Sequence, residues 1–151
     1  MDNVNQDMAD LLLSRSELEI WRGFLRFSEQ VVSDVGQALV NETPLTATDY
    51  EVLKRLLEAG GTLPQSTLQQ SLQWSASRLS HQLRRMDDRS LLDRTEAGQG
   101  RAVNVAIMEG GRAAMAIAEV VHARAVRTAL LHRINQVNAK LFSDAFLAPP
   151  H

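Results

Sequence analysis

The chain has 151 residues, 44% hydrophobic and 23% charged, and its 18 acids nearly balance its 16 bases. That is about one domain's length with ordinary globular composition, leaving room for a core but not for a separate catalytic domain. With no cysteine, disulfides, thiolate zinc sites, thiol catalysis and cysteine-oxidation switches are excluded. The longest apolar run, Ala113 to Ala118, is far short of the ~20 residues a membrane span needs. Met1-Asp2-Asn3 begins no secretory signal, so the expectation is a cytoplasmic protein without a membrane partner.

A net charge of -2 argues against a nucleic-acid binder only as a total. Residues 1–60 carry 11 acids and 5 bases, whereas residues 61–151 carry 7 acids and 11 bases. No acid lies between Glu58 and Asp87, a window that holds Arg78, Arg84 and Arg85. Such a stretch is a local electrostatic footprint, or equally a solvated helix face. Of the 16 bases, 14 are Arg, the side chain that forks onto phosphates and guanine edges.

In chain order, Leu18, Trp21, Leu25, Ser28 and Val32 recur at helical spacing and predict a first helix over residues 16–40. Thr43-Pro44 ends it, and Thr46 with Asp49 forms a capping-box start for a short second helix. Tyr50, Leu53, Leu56 and Leu57 make its apolar stripe, and Gly60-Gly61 stops it. Pro64 suits the first turn of a third helix with Leu68 and Leu72 inward. Ser75 is the N-cap of a fourth, whose core stripe is Leu79, Leu83 and Met86.

The period then changes. Leu92-Asp93-Arg94, a Gly-containing turn, and alternating Val103, Val105 and Ile107 read as a β-hairpin. Gly110-Gly111 leads into a long last helix from Arg112 to about Phe142. This order is that of a mainly α fold with a small β-hairpin wing. A winged helix-turn-helix spans 45–109, with the wing near 92–107, and its second motif helix is the one that enters a major groove. The flanking helices, 16–42 and 112–146, are explained by dimerisation.

Around the fourth helix, Leu79, Leu83 and Met86 fall on one side, and Ser77, His81 and Arg84 on the other. Arg78, Gln82 and Arg85 lie along one flank. Arg suits guanine, Gln suits adenine, and Ser77 and Ser80 suit bases or phosphates. The helix N-terminus at Ser75 favours phosphate. Arg94 and Arg101 bracket the hairpin turn, where a wing reaches a minor groove. Each residue has a plainer reading, as a solvated imidazole for His81 or an Arg85–Asp88 pair along the helix.

The run Trp74-Ser75-Ala76-Ser77-Arg78-Leu79-Ser80-His81-Gln82, followed by Arg85-Met86, resembles a subgroup of the MarR family of multidrug- and phenol-responsive regulators. Ile20-Trp21-Arg22 and Asp49-Tyr50-Glu51-Val52-Leu53 support it, and the resemblance covers nearly the whole chain. It implies an obligate homodimer with intertwined terminal helices, whose winged domains sit on halves of a pseudo-palindromic double-stranded operator. Groove contacts then fall on Ser77, Arg78, His81, Gln82, Arg84 and Arg85, with Arg101 at the wing tip. It also implies repression relieved by a small aromatic or lipophilic acid bound between the dimer and DNA-binding regions. Gly100 before Arg101, Ser90, and Met108-Glu109-Gly110-Gly111 depart from the family pattern.

A winged helix that binds a protein instead of DNA, as an anti-repressor does, is the alternative; the net charge and Asp87-Asp88 favour it. No nucleophile–base signature, phosphate loop or metal-ligand spacing points to an enzyme or a cofactor. His122 and His132 are too far apart on one helix to share a metal unless symmetry mates of a dimer meet. Trp21, Phe24 and Tyr50 are the candidate effector-pocket residues, or simply core.

Overall fold

The computed structural model describes residues 11–98, 102–134 and 138. Its first helix, α1 (Arg15–Glu42), is started by Ser14 and Glu17, which cap each other's backbone amides in a capping box. The second, α2 (Ala47–Glu58), starts on the anticipated Thr46–Asp49 capping box. Its end is a Schellman turn: Gly61 N–H donates to Leu56 C=O and Gly60 N–H to Leu57 C=O, with Gly60 left-handed at φ 86°.

Between α2 and the next helix lies a strand the sequence did not announce, β1 (Thr62–Pro64). Three residues carry no readable alternation, and β1 exists because it pairs antiparallel with a strand some 40 residues later. Pro64, lacking an N–H, caps α3 (Gln65–Leu72) from an edge strand, where proline is tolerated. Left-handed Gln73 closes α3, and Ser75 then opens α4 (Ala76–Asp88) by accepting from Arg78 N–H. The hairpin follows as β2 (Leu92–Ala97) and β3 (Ala102–Ile107). The wing is therefore a three-stranded sheet in the order β1-β3-β2, with Leu63 and Arg94 both opposite Val105.

One core joins these elements. Leu53 and Leu56 of α2, Leu68 of α3, and Leu79, Leu83 and Met86 of α4 are fully buried with Leu92 and Val105 of the sheet. Each such side chain contributes about 1.5–3 kcal/mol. The expected stripe of α1 behaves differently: of that helix only Leu39 is buried, while Trp21, Leu25 and Val32 stay exposed. The periodicity was real, but no surface among the described residues covers that face.

The last helix, α5 (Glu109–Val126), begins three residues before the expected Arg112 and ends in a π-helical turn, Arg127–Leu131. Residues 132–134 follow as a turn, and most of the rest of the anticipated helix, towards Phe142, lies outside the described residues. Gly110 and Gly111 sit inside α5 rather than ahead of it, and the reason is steric. A Cβ on Gly111 would lie 2.1 Å from Leu91 C=O, and one on Gly110 2.9 Å from Ser90 C=O. The helix thus starts pressed against the turn leaving α4. In that turn Leu91 N–H donates to Met86 C=O and Ser90 N–H to Asp87 C=O, leaving Ser90 left-handed at φ 58°.

Thermal unfolding separates these two backbone positions. Gly111→Ala is expected to destabilise by about 3 kcal/mol, because neither the Leu91 carbonyl nor the helix can move freely. Ser90→Gly is expected to stabilise by about 1 kcal/mol, because glycine adopts the left-handed conformation without the Cβ conflict.

Candidate nucleic-acid interface

The surface of α4 follows from its amphipathic sequence. Leu79, Leu83 and Met86 bury one seam, which leaves Ser75, Ser77, Arg78, His81, Arg84 and Arg85 exposed and Ser80 partly so. Three guanidiniums and an imidazole therefore share the outer side of one helix. Arg78 is ordered by its neighbour: its guanidinium lies 4.1 Å from the centroid of the Trp74 ring. Trp74 is itself packed against the core. Stacking holds the guanidinium plane while its N–H edges stay available. Arg84 and His81 extend outward without a protein partner among the described residues.

Gln82 departs from the sequence expectation. It was placed with the groove-facing donors, yet it is only 4% exposed. Its Nε2 donates to Asp49 Oδ1 at 2.7 Å, and its Oε1 accepts from Arg85 Nη2 at 2.6 Å. The helical wheel put Gln82 on a flank; packing of α2 against α4 turned that flank inward. Arg85 is held by this amide, and not by Asp88 along the helix.

Asp49 is the residue whose full role the sequence did not disclose. Its capping position was legible, but its carboxylate is 1% exposed and reaches across the motif. Oδ2 accepts from Thr46 N–H at 2.8 Å and from Arg89 Nη1 at 2.9 Å, while Oδ1 takes Gln82. Arg89 also donates to Pro44 C=O. A buried carboxylate persists only when its lone pairs are used, and here the α1–α2 turn, α4 and the residue capping the end of α4 supply the donors.

The wing arginines separate. Arg94 does not sit at the turn: it lies three pairs from the hairpin end, half-buried, with Nε 3.2 Å from Asp87 Oδ2. It fastens the base of the wing to the end of α4, and Asp87 is spent on that contact. Arg101, with Gly100, lies outside the described residues.

The candidate pocket residues also fall apart. Trp21 and Phe24 stack at 6.0 Å between centroids and line an open apolar groove with Leu13, Glu17 and Ile20 at the start of α1. Tyr50 lies elsewhere, beside a cavity of about 240 Å³ between α1, α2 and α5. Val31, Val32, Val35, Gly36, Leu39, Ala47, Glu51, His122 and Val126 complete its lining. His122, which the sequence offered only as a distant metal ligand, stacks on Tyr50 at 4.3 Å and 14°. Among the described residues no group of three His, Asp or Glu side chains is placed to hold a metal.

Burial pushes the Tyr50 phenol up, with Lys54 opposing, and Lys54 is itself held protonated by Glu119 at 2.6 Å. Burial pushes the His122 imidazole down; Glu51 opposes this and Lys54 reinforces it. The folded state thus favours neutral His122, and the unfolded chain binds its proton more readily. Stability is therefore full above the ordinary histidine pKa of about 6.5 and falls as pH drops through the lowered folded value. Chemical denaturation between pH 7.5 and 5 is expected to show this loss, and His122→Phe to flatten it.

Comparison with known proteins follows the same division into winged unit and flanking helices. Residues 45–106, under half the chain, match the family model described as Domain of unknown function (DUF7343). No curated protein sequence matches. Among solved structures, the chain is similar to AbsC, a MarR family transcriptional regulator from Streptomyces coelicolor. The two are 27% identical over 89% of this chain and 91% of that one, with a TM-score of 0.81. Sco3205, a MarR family regulator from the same organism solved in complex with DNA, is 20% identical. There the match covers 90% of this chain and 87% of that one, with a TM-score of 0.83. The PcaV regulator of Streptomyces coelicolor, solved with its natural ligand, is 21% identical over 74% and 80% of the two chains, with a TM-score of 0.65. The chain thus carries, over nearly all its length, the winged-helix fold of MarR family transcriptional regulators.

Proposed function

We propose that the protein is a DNA-binding transcription regulator: a homodimeric repressor that places α4 of each copy in the major groove of a pseudo-palindromic operator. The observation that carries this is the outer side of α4, where Arg78, His81, Arg84 and Arg85 stand exposed opposite a fully buried seam. Ser75, Ser77 and Ser80 near its N-terminus suit phosphates, and Arg101 at the wing tip would reach the minor groove. The DNA complex of the structurally similar Sco3205 supports the same use of the fold. A second copy suits the start of α1, where Leu11, Leu12 and Leu13 just ahead of the helix and Ile20 and Trp21 within it are exposed, Ile20 at 74%.

The test is a gel shift on the DNA upstream of the gene at several salt concentrations. Affinity should fall linearly in log–log terms, with a slope of about -0.9 per phosphate neutralised. Arg78→Ala/Arg85→Ala should weaken operator binding at least ~30-fold, two bidentate contacts being lost, while the dimer elutes unchanged. No DNA retained by the wild-type protein even at low salt would favour a protein-interaction module instead.

The cavity between α1, α2 and α5 is the proposed effector site. Its lining is mostly aliphatic and includes no cation, and its one carboxylate is Glu51. An acid, which the resemblance implied, would meet no fixed cation there, only the Tyr50 hydroxyl and the His122 imidazole as donors, with Glu51 opposing its charge. The lining therefore favours an uncharged compact ring. In thermal-shift titrations benzamide should raise Tm more than benzoate, and Val35→Trp, which fills the cavity, should abolish the response.

A further inference from the structure

Two arginines on the outer side of α4 are held by neighbours, and the two holds differ in kind. Arg78 leans on an aromatic face, which tolerates rotation about the ring normal. Arg85 is gripped at one nitrogen, Nη2, by the end of a buried chain: Asp49 Oδ1, Gln82 Nε2, Gln82 Oε1, Arg85 Nη2, with links of 2.7 and 2.6 Å. The polarity of that chain is dictated by its ends. A carboxylate only accepts and a guanidinium only donates, so the residue between them must donate at one end and accept at the other. Glutamine does both without net charge. Glutamate would set one carboxylate against another at Asp49, and lysine would set two donors together at Arg85.

Asp49 cannot drift, because Thr46 N–H and Arg89 Nη1 hold its other oxygen. The anchor is thus rigid, the amide is buried, and only the far guanidinium is exposed. One of Arg85's five donors is spent inward; the others remain for a base edge.

We propose that Gln82 does not read DNA but is a positioning residue, a fixed relay from buried Asp49 that aims Arg85 at one base pair in each half-site. This rests on the DNA-binding reading of the same helix. It assigns sequence discrimination at that base pair to an interaction wholly inside the protein.

The experiment is selection from randomised operator DNA, with quantitative binding, for the wild type, Gln82→Met, Arg85→Ala and the double variant as full-length dimers. Gln82→Met preserves volume and removes both hydrogen bonds. The relay requires that Gln82→Met and Arg85→Ala lose discrimination at the same base pair, by about tenfold for Gln82→Met. It also requires that the double variant be no worse than Arg85→Ala alone. The salt slope of Gln82→Met should match the wild type, because no phosphate contact is removed. Loss at a base pair that Arg85→Ala leaves intact, or additive losses, would make Gln82 a reader and overturn the proposal while leaving the DNA-binding reading standing. A wild-type protein that selects no sequence would overturn both.

A second measurement needs no variant. In the DNA-free wild-type dimer, the Arg85 guanidinium should show restricted motion by 15N relaxation. Arg84, exposed on the same helix, serves as the mobile reference. Equal mobility of the two would overturn the relay even if Gln82→Met failed to fold.

Discussion

A single buried carboxylate organises the winged unit of the molecule. Asp49 begins as a local device, capping the first turn of α2, but its side chain also accepts from Gln82 and Arg89, 33 and 40 residues further along the chain. An ionised carboxylate with 1% exposure costs several kcal/mol unless fully hydrogen-bonded. The angle between α2 and α4 is therefore restricted to one at which Gln82 and Arg89 both reach it. Apolar packing of Leu53, Leu56, Leu79 and Leu83 supplies the cohesion, but it is non-directional. The hydrogen bonds supply the register, and the exposed arginines inherit it.

The same logic joins the wing to the helix. Arg94 and Asp87 tie the base of β2 to the last turn of α4, and the Ser90–Leu91 turn is pressed under the start of α5. Gly111 lets two backbones approach within a distance no side chain would allow. The start of α5 and the turn leaving α4 are thus in direct backbone contact, with little space between them.

The other face of α5 meets α2 through the Tyr50–His122 stack and the Lys54–Glu119 ion pair, and meets α1 through Arg124–Glu42. The cavity opens where these three helices converge. A molecule seated there would press on α2, which carries Asp49 immediately before the cavity-lining Tyr50 and Glu51. The proposed effector site and the proposed DNA-reading helix are therefore two layers of one packed unit.

Local signals in the sequence determined most of the elements. The Thr46–Asp49 cap, the Gly60-Gly61 stop, the Ser75 cap and the apolar seam of α4 each depend on residues within a turn or two of one another. The hairpin was legible for the same reason, since alternation is a local pattern. What the sequence could not decide was which polar side chains face inward, because this depends on contacts between residues distant along the chain. Gln82 looked like a reader and is a buried link; Arg94 looked like one of two cations bracketing the wing turn and is a brace. Gly110-Gly111 looked like a loop and is a helix start, and β1 exists only through its pairing with β3. The exposed stripe on α1 marks a third level: its periodicity was plain, but nothing among the described residues covers it. Composition gave a net charge of -2, and the fold nonetheless sets an Arg-bearing helix face outward. Charge is a property of the chain; its direction belongs to the tertiary structure, because only packing chooses which face of a helix meets water.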